Sequence, residues 1–117
     1  MKLDYYKLII ESLKKELQFD NIKVKFKEID RGYSLAKGKI VIPLWCIRRN
    51  HYYAIYYICH ELTHQIAYKK YHHFRHDENF KIEEKVLLNK FKLIPIYSRW
   101  YVKELLKDTI SVYKEKI

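Results

Sequence analysis

Glycine and proline are scarce in this chain, with two of each in 117 residues. Few turns can therefore use a positive or a fixed φ, and the chain reads as regular and loop-poor. Cysteine is equally scarce. Cys46 and Cys59 are too few for a disulfide framework, and neither belongs to a Cys-x-x-Cys pair. A disulfide-stapled scaffold and a zinc ribbon are both set aside, and the two thiols read as small buried hydrophobes in a reducing compartment. There is no internal repeat, no low-complexity linker and no run of five like charges. Long apolar runs are missing too. The most apolar stretch, Tyr52 to Cys59, falls far short of the about 20 residues that span a bilayer. The opening MKLDYYKLIIESLKK is broken by charges and lacks the unbroken core of a signal peptide. We expect a soluble cytoplasmic protein with no membrane partner.

What is present begins with charge. Lys and Arg number 24 against 14 Asp and Glu, a net of +10. That balance allows a nucleic-acid or anionic-surface partner. The lysines are spread along the whole chain, so a solvated surface is the favoured reading, and nucleic acid is allowed but not favoured. The length suits one domain, which buries roughly two-thirds of its unfolded surface. Any function must sit on that single core or its rim.

Periodicity sets the expected elements. Leu8, Ile9, Leu13 and Leu17 recur at helical spacing within Leu3 to Phe19. Lys23 to Ile29 alternates, with Val24, Phe26 and Glu28 on one face, as a half-buried strand does. Turns at Gly32 and Gly38 bracket a short strand, Ser34 to Ala36, and Lys39 to Ile42 forms a third strand closed by Pro43. Asn50 is a good N-cap for a helix reaching Tyr68 or Lys70. Asp77 caps the next, with Glu78 in its first turn and an apolar stripe of Phe80, Leu87, Leu88 and Phe91. Pro95 breaks the chain, and Arg99 to Lys116 leans to helix. The expected fold is α+β: a sheet of about three strands packed on a central helix, with N-terminal and C-terminal helices.

The chemistry lies in His60-Glu61-Leu62-Thr63-His64, an HExxH segment on the central helix. At about 100° per residue, His60 and His64 lie about 40° and one turn apart, so both imidazoles can reach one ion. Glu61 is turned about 60° from His64, where it can act on a metal-bound water without ligating the metal. Ile55, Ile58, Cys59, Leu62 and Ile66 gather on the opposite side. This predicts a core face and a separate metal face, with Tyr53 and Tyr57 lining a cleft beside the metal. Cys59 points into the apolar arc, which argues against it as a ligand. A catalytic zinc needs a third protein ligand and an open position. In the tract 71–76, YHHFRH, His76 is favoured because it immediately precedes the helix at Asp77. His72 and His73, or Glu83 and Glu84 on the following helix, remain alternatives.

HELTH on a helix, followed by a histidine-rich loop and HDENF, resembles the compact zinc metallopeptidases. In size and plan it is most similar to the minigluzincins, relatives of the catalytic domains of HtpX-like proteases. The step from His76 to Phe80 is also similar to SprT-like proteases, where it carries the third ligand. Gluzincins use glutamate there, which would point to Glu83 or Glu84. In both families the motif maps onto His60, Glu61 and His64. The resemblance implies hydrolysis of a peptide or protein substrate with one catalytic Zn2+. The apolar residues of 99–117, among them Trp100, Leu105, Leu106 and Ile110, are expected to finish the core of their own chain; the resemblance implies the alternative of a segment that maintains latency as in a zymogen, by covering the cleft or by exchange in a homodimer. Residues 1–117 would form one catalytic domain. Lys39 to Ile42, by the same analogy, could pair with an extended substrate. The rival expectations are a SprT-like protease acting near DNA and a non-catalytic zinc-stabilised module with its fourth position filled, for instance by His73.

Overall fold

The computed structural model of the chain describes residues 2–49 and 51–90. Asn50, the expected helix cap, lies outside the described residues, as do Phe91, Pro95 and the 99–117 segment with its expected helix, covering role and homodimer. The described residues form four helices and a three-stranded mixed sheet, an α+β fold as expected.

Helix α1 spans Lys2–Leu17 and ends without a glycine. Gln18 adopts φ 60°; its N–H donates to Lys15 O at 3.2 Å, and the Phe19 N–H donates to Lys14 O at 2.8 Å. This is the Schellman closure, and it turns Phe19 back into the core. The buried stripe is Tyr6, Ile10 and Leu13, whereas Leu8 is 71% exposed. Leu8, Ile9 and Ile10 are consecutive, so periodicity alone could not choose which of them faces inward.

The strands are β1, Lys23–Lys27, β2, Tyr33–Leu35, and β3, Lys39–Pro43. Their order is β1-β3-β2, with β1 parallel and β2 antiparallel to β3. Gly38, at φ 88°, closes the β2–β3 turn and donates its N–H to Leu35 O at 2.9 Å. Gly32 is needed for closeness instead: a Cβ there would meet Tyr57 Cε1 and Val41 O, each at 2.6 Å. The central position of β3 corrects one expectation. Lys39 to Ile42 is no open strand for a substrate, because β1 and β2 occupy its two edges. The inner sheet face, with Val24, Phe26, Ile40 and Ile42, packs into the core. Residues paired in register share a face, so the outer face carries Lys23, Lys39 and Leu35 in one row and Lys25, Val41 and Tyr33 in the next.

Pro43 leads directly into α2, Leu44–Arg49, which no periodicity in the sequence marks. Helix α3, His51–Tyr71, then runs through the centre, and α4, Glu78–Asn89, packs beside it. The core joins Ile10 and Leu13 of α1, Ile40 and Ile42 of β3, Ile55, Ile58 and Leu62 of α3, and Leu87 and Leu88 of α4. Each fully buried aliphatic side chain contributes about 1.5–3 kcal/mol relative to exposure. No helix among the described residues is long and apolar enough to cross a membrane.

Every residue of α3 from Ala54 to Ala67 is buried. The expected division into a core face and an outward metal face is therefore wrong. Helix α4 and the loop before it cover His60 and His64, Gln65 meets β2, and a wheel reports polarity rather than exposure. Burying that face demands partners for its polar groups.

Candidate metal centre

The α3 backbone places His60 and His64 one turn apart, with ring centroids 5.0 Å apart and planes at 89°. The third ring arrives from the loop between α3 and α4. His76 lies 5.0 Å from His60 and 4.8 Å from His64, centroid to centroid. The three imidazoles thus form a nearly equilateral triangle. Phe80, itself buried, sits 5.1 Å, 4.7 Å and 4.9 Å from His60, His64 and His76 and forms a common apolar floor.

The histidine tract divides by role. His72, at φ 59°, ends α3 and donates its N–H to Tyr68 O at 2.9 Å, a left-handed cap. His73 braces the loop: Nδ1 accepts from the Arg75 N–H at 3.1 Å, and Nε2 meets Asp77 Oδ2 at 2.9 Å. Asp77 is the N-cap of α4, its Oδ1 accepting from the Phe80 N–H at 3.0 Å. His76 alone of the three enters the cluster, from a position fixed by that cap.

The metal-binding atoms of His60, His64 and His76 all lie within 4.8 Å of one another, and the two Nε2 atoms of His60 and His76 are 3.2 Å apart. A tetrahedral zinc ion with Zn–N bonds of about 2.0–2.1 Å holds two nitrogens about 3.3 Å apart. The residues therefore fit such an ion. His60 Nδ1 donates to Glu84 Oε2 at 2.7 Å, and both side chains are 1% exposed. Holding the ring through one nitrogen leaves the other directed at the cluster, as partners of metal-bound histidines do. The glutamate alternatives are thereby placed elsewhere. Glu84 supports a ring of the cluster, while Glu83 accepts from Lys70 Nζ at 3.0 Å and the Tyr71 hydroxyl at 3.1 Å.

These side chains can hold a metal ion. No family model, curated protein or solved structure matches the chain.

Burial, followed by the charges of His60, His76 and His73, pushes His64 down to about 2. Burial and His60 push His76 down to about 4, against the pull of Glu84. Both are neutral near pH 7 and so in their ligating form. For His60 burial is the largest single influence and favours the neutral ring, yet the Glu84 hydrogen bond, the Glu84 charge and the Glu61 charge together raise its pKa. Glu61 is fully buried, and its charge reaches His60. The cysteines take no part: burial pushes Cys46 up to about 12 and raises Cys59 as well.

Two expectations need correcting. Tyr57 is buried, its hydroxyl accepts from the Gly32 N–H at 2.7 Å, and its ring meets Trp45 edge-on at 6.0 Å. It locks the approach to β2 and belongs to the core rather than to a cleft wall, while the Tyr53 side chain lies outside the described residues. Sequence reasoning also missed the true role of Glu84. The signal was there, since Phe80 and Glu84 lie four apart on one line of α4 and His76 stands just before the Asp77 cap that begins it. A groove of about 570 Å³ between α1, α3 and α4 is built by other residues, Leu17, Phe19, Ile66 and Val86 among them, and no cluster histidine lines it.

Proposed function

We propose that this chain is a zinc-dependent peptidase of the minigluzincin kind, in which His60, His64 and His76 hold one Zn2+ and Glu61 is the general base. The observation that carries this reading is the convergence of three imidazoles beside a buried carboxylate on the same helical turn. A three-nitrogen donor set suits zinc. When bound, the ion supplies a Lewis acid and a water acidified towards a pKa of about 7.

The chain's own residues supply the rest. Glu84 fixes the tautomer and direction of His60. Glu61, turned about 60° from His64 on the helix, flanks the cluster, where it accepts a proton from water and passes it to the departing amine. Low exposure of His60, Glu61 and His64 strengthens each of these interactions. An extended peptide would add to β2, an edge strand among the described residues. Gln65, the residue after His64, ties that strand to α3 by donating from Nε2 to Ser34 Oγ at 2.6 Å and Leu35 O at 2.8 Å.

The test is metal analysis joined to a peptide-library assay read by mass spectrometry. Protein purified without chelators should carry about one zinc per chain. Glu61→Gln should keep the zinc and lose hydrolysis by roughly 10²–10⁴. Protein that arrives free of zinc would overturn the proposal. A zinc-loaded Glu61→Gln variant that cleaves like the parent would remove Glu61 from its role.

A further inference from the structure

The net positive charge, diffuse along the sequence, is concentrated by the fold. Lys23, Lys25 and Lys27 alternate outward along the edge strand β1, all exposed, while Val24 and Phe26 turn to the core. Lys39 shares a register row with Lys23 on the same outer face, and Lys37 stands exposed in the turn that follows β2. Lysine ion pairs among the described residues belong elsewhere: Lys14 with Glu11, Lys70 with Glu83, Lys81 with Glu78 and Lys90 with Glu16. None of the five sheet and turn lysines has a carboxylate partner among the described residues. Glu28, the acid next to Lys27, is held by Arg48, and Asp20 lines a separate groove along α1. The face is also shaped. A groove of about 360 Å³ is lined by Asn21, Lys23, Lys25, Lys37, Gly38 and Lys39, with no acidic residue in its wall. In the next register row Tyr33, half-buried, lies across from Lys25 with Val41 between them.

From this we infer that the outer face of the β1-β3-β2 sheet is a docking surface for single-stranded nucleic acid. Unpaired lysines in a row follow a phosphate backbone, and the partly exposed Tyr33, beyond the fully buried Val41, offers a base a stacking partner. An acidic protein would satisfy the charges but has no use for the adjoining ring, and a bilayer would need apolar anchors that the lysine row lacks. The inference is independent of the peptidase reading, because the inner face of this sheet, not the outer, packs toward α3.

The experiment titrates the full chain against a fluorescein-labelled oligothymidylate by anisotropy over a range of salt. Five lysines neutralising five phosphates should give a slope of log K against log salt of about −3.5, from about −0.7 per contact on a single strand. The variant Lys23→Gln, Lys25→Gln, Lys37→Gln, Lys39→Gln should lose most of that slope. A control of equal charge change, Lys7→Gln, Lys15→Gln, Lys81→Gln, Lys85→Gln, should keep it. The double variant Lys25→Gln, Lys37→Gln should lose about 1.4 of the slope and serves should the quadruple variant not fold. Equal losses in sheet and control variants would overturn the inference, leaving only non-specific charge. So would absence of salt-dependent binding, or stronger sheet-dependent binding to polyglutamate or to phosphatidylserine vesicles than to the oligonucleotide.

Discussion

His60 and Glu84 meet across 24 positions of sequence through a 2.7 Å hydrogen bond, each side chain 1% exposed. A glutamate that the sequence offers as a ligand thus holds a ring of the histidine cluster instead. Glu84→Gln keeps the shape of the contact and removes its charge. We expect zinc affinity to fall about 10–100-fold, and the His60 pKa, read by NMR titration of the metal-free variant, to drop. A variant with unchanged affinity and unchanged titration would show that Glu84 does not tune the ring.

The three histidines of the loop should separate cleanly by substitution. His76→Ala leaves two protein nitrogens and should lose most zinc affinity in a competition titration. His72→Ala should leave affinity unchanged, and His73→Ala should weaken it only indirectly, by freeing the loop from Asp77. Comparable losses from all three would break this division. A large loss from Glu83→Ala alone would move the site to the other pattern.

Gln18 and His72 hold left-handed backbone at φ 60° and 59°, a conformation that costs a side chain of the L series about 1–2 kcal/mol. Glycine takes it freely. Gln18→Gly and His72→Gly should each raise stability by up to about 1 kcal/mol, measured by urea denaturation, the gain being reduced by glycine's freedom in the unfolded chain. A clear loss in either variant would mean that the side chain does more than end a helix.

Metal-free protein should weaken steadily in mild acid. His64 and His76 titrate at about 2 and about 4 in the fold and near about 6.5 in the unfolded chain. Below that value the unfolded chain takes up protons that the fold refuses, so stability falls as pH drops. His64 alone gives a slope of roughly 1.4 kcal/mol per pH unit; His76, whose ring is partly at the surface, adds less. His60 runs the other way: its raised pKa contributes stability below about 6.5 that is lost as pH climbs through its folded value. Urea midpoints between pH 6.5 and 4 should therefore decline without zinc and decline later with it, since metal competes with protons for the same nitrogens. A flat profile in the metal-free protein would contradict burial of neutral histidines.

Much of this was legible in local pattern. HExxH spacing, the Asp77 cap and the alternation of β1 are statements about neighbours along the chain, and the structure keeps each of them. What periodicity missed depends on distant neighbours. The Leu44–Arg49 helix is too short to show a period. The central place of β3 depends on strand pairing, which its own residues do not encode. The burial of His60 and His64 follows from α4 and the loop before it lying over them, and nothing in the α3 sequence announces a cover. Glu84 could be assigned only once the fold brought it to Nδ1 rather than Nε2 of His60.

The metal centre also has an order in time. Its three rings, their apolar floor and the supporting carboxylate all fall between His60 and Glu84, within one helical hairpin closed by a short loop. Closing so short a loop costs little chain entropy, and contacts this local form early in folding. The sheet is the reverse case. β1 must wait for β3, with all of β2 between them in sequence, before it gains its neighbour. The hairpin can therefore close while the sheet is still unpaired, and an ion bound by its histidines would then favour the hairpin before the rest of the chain is in place.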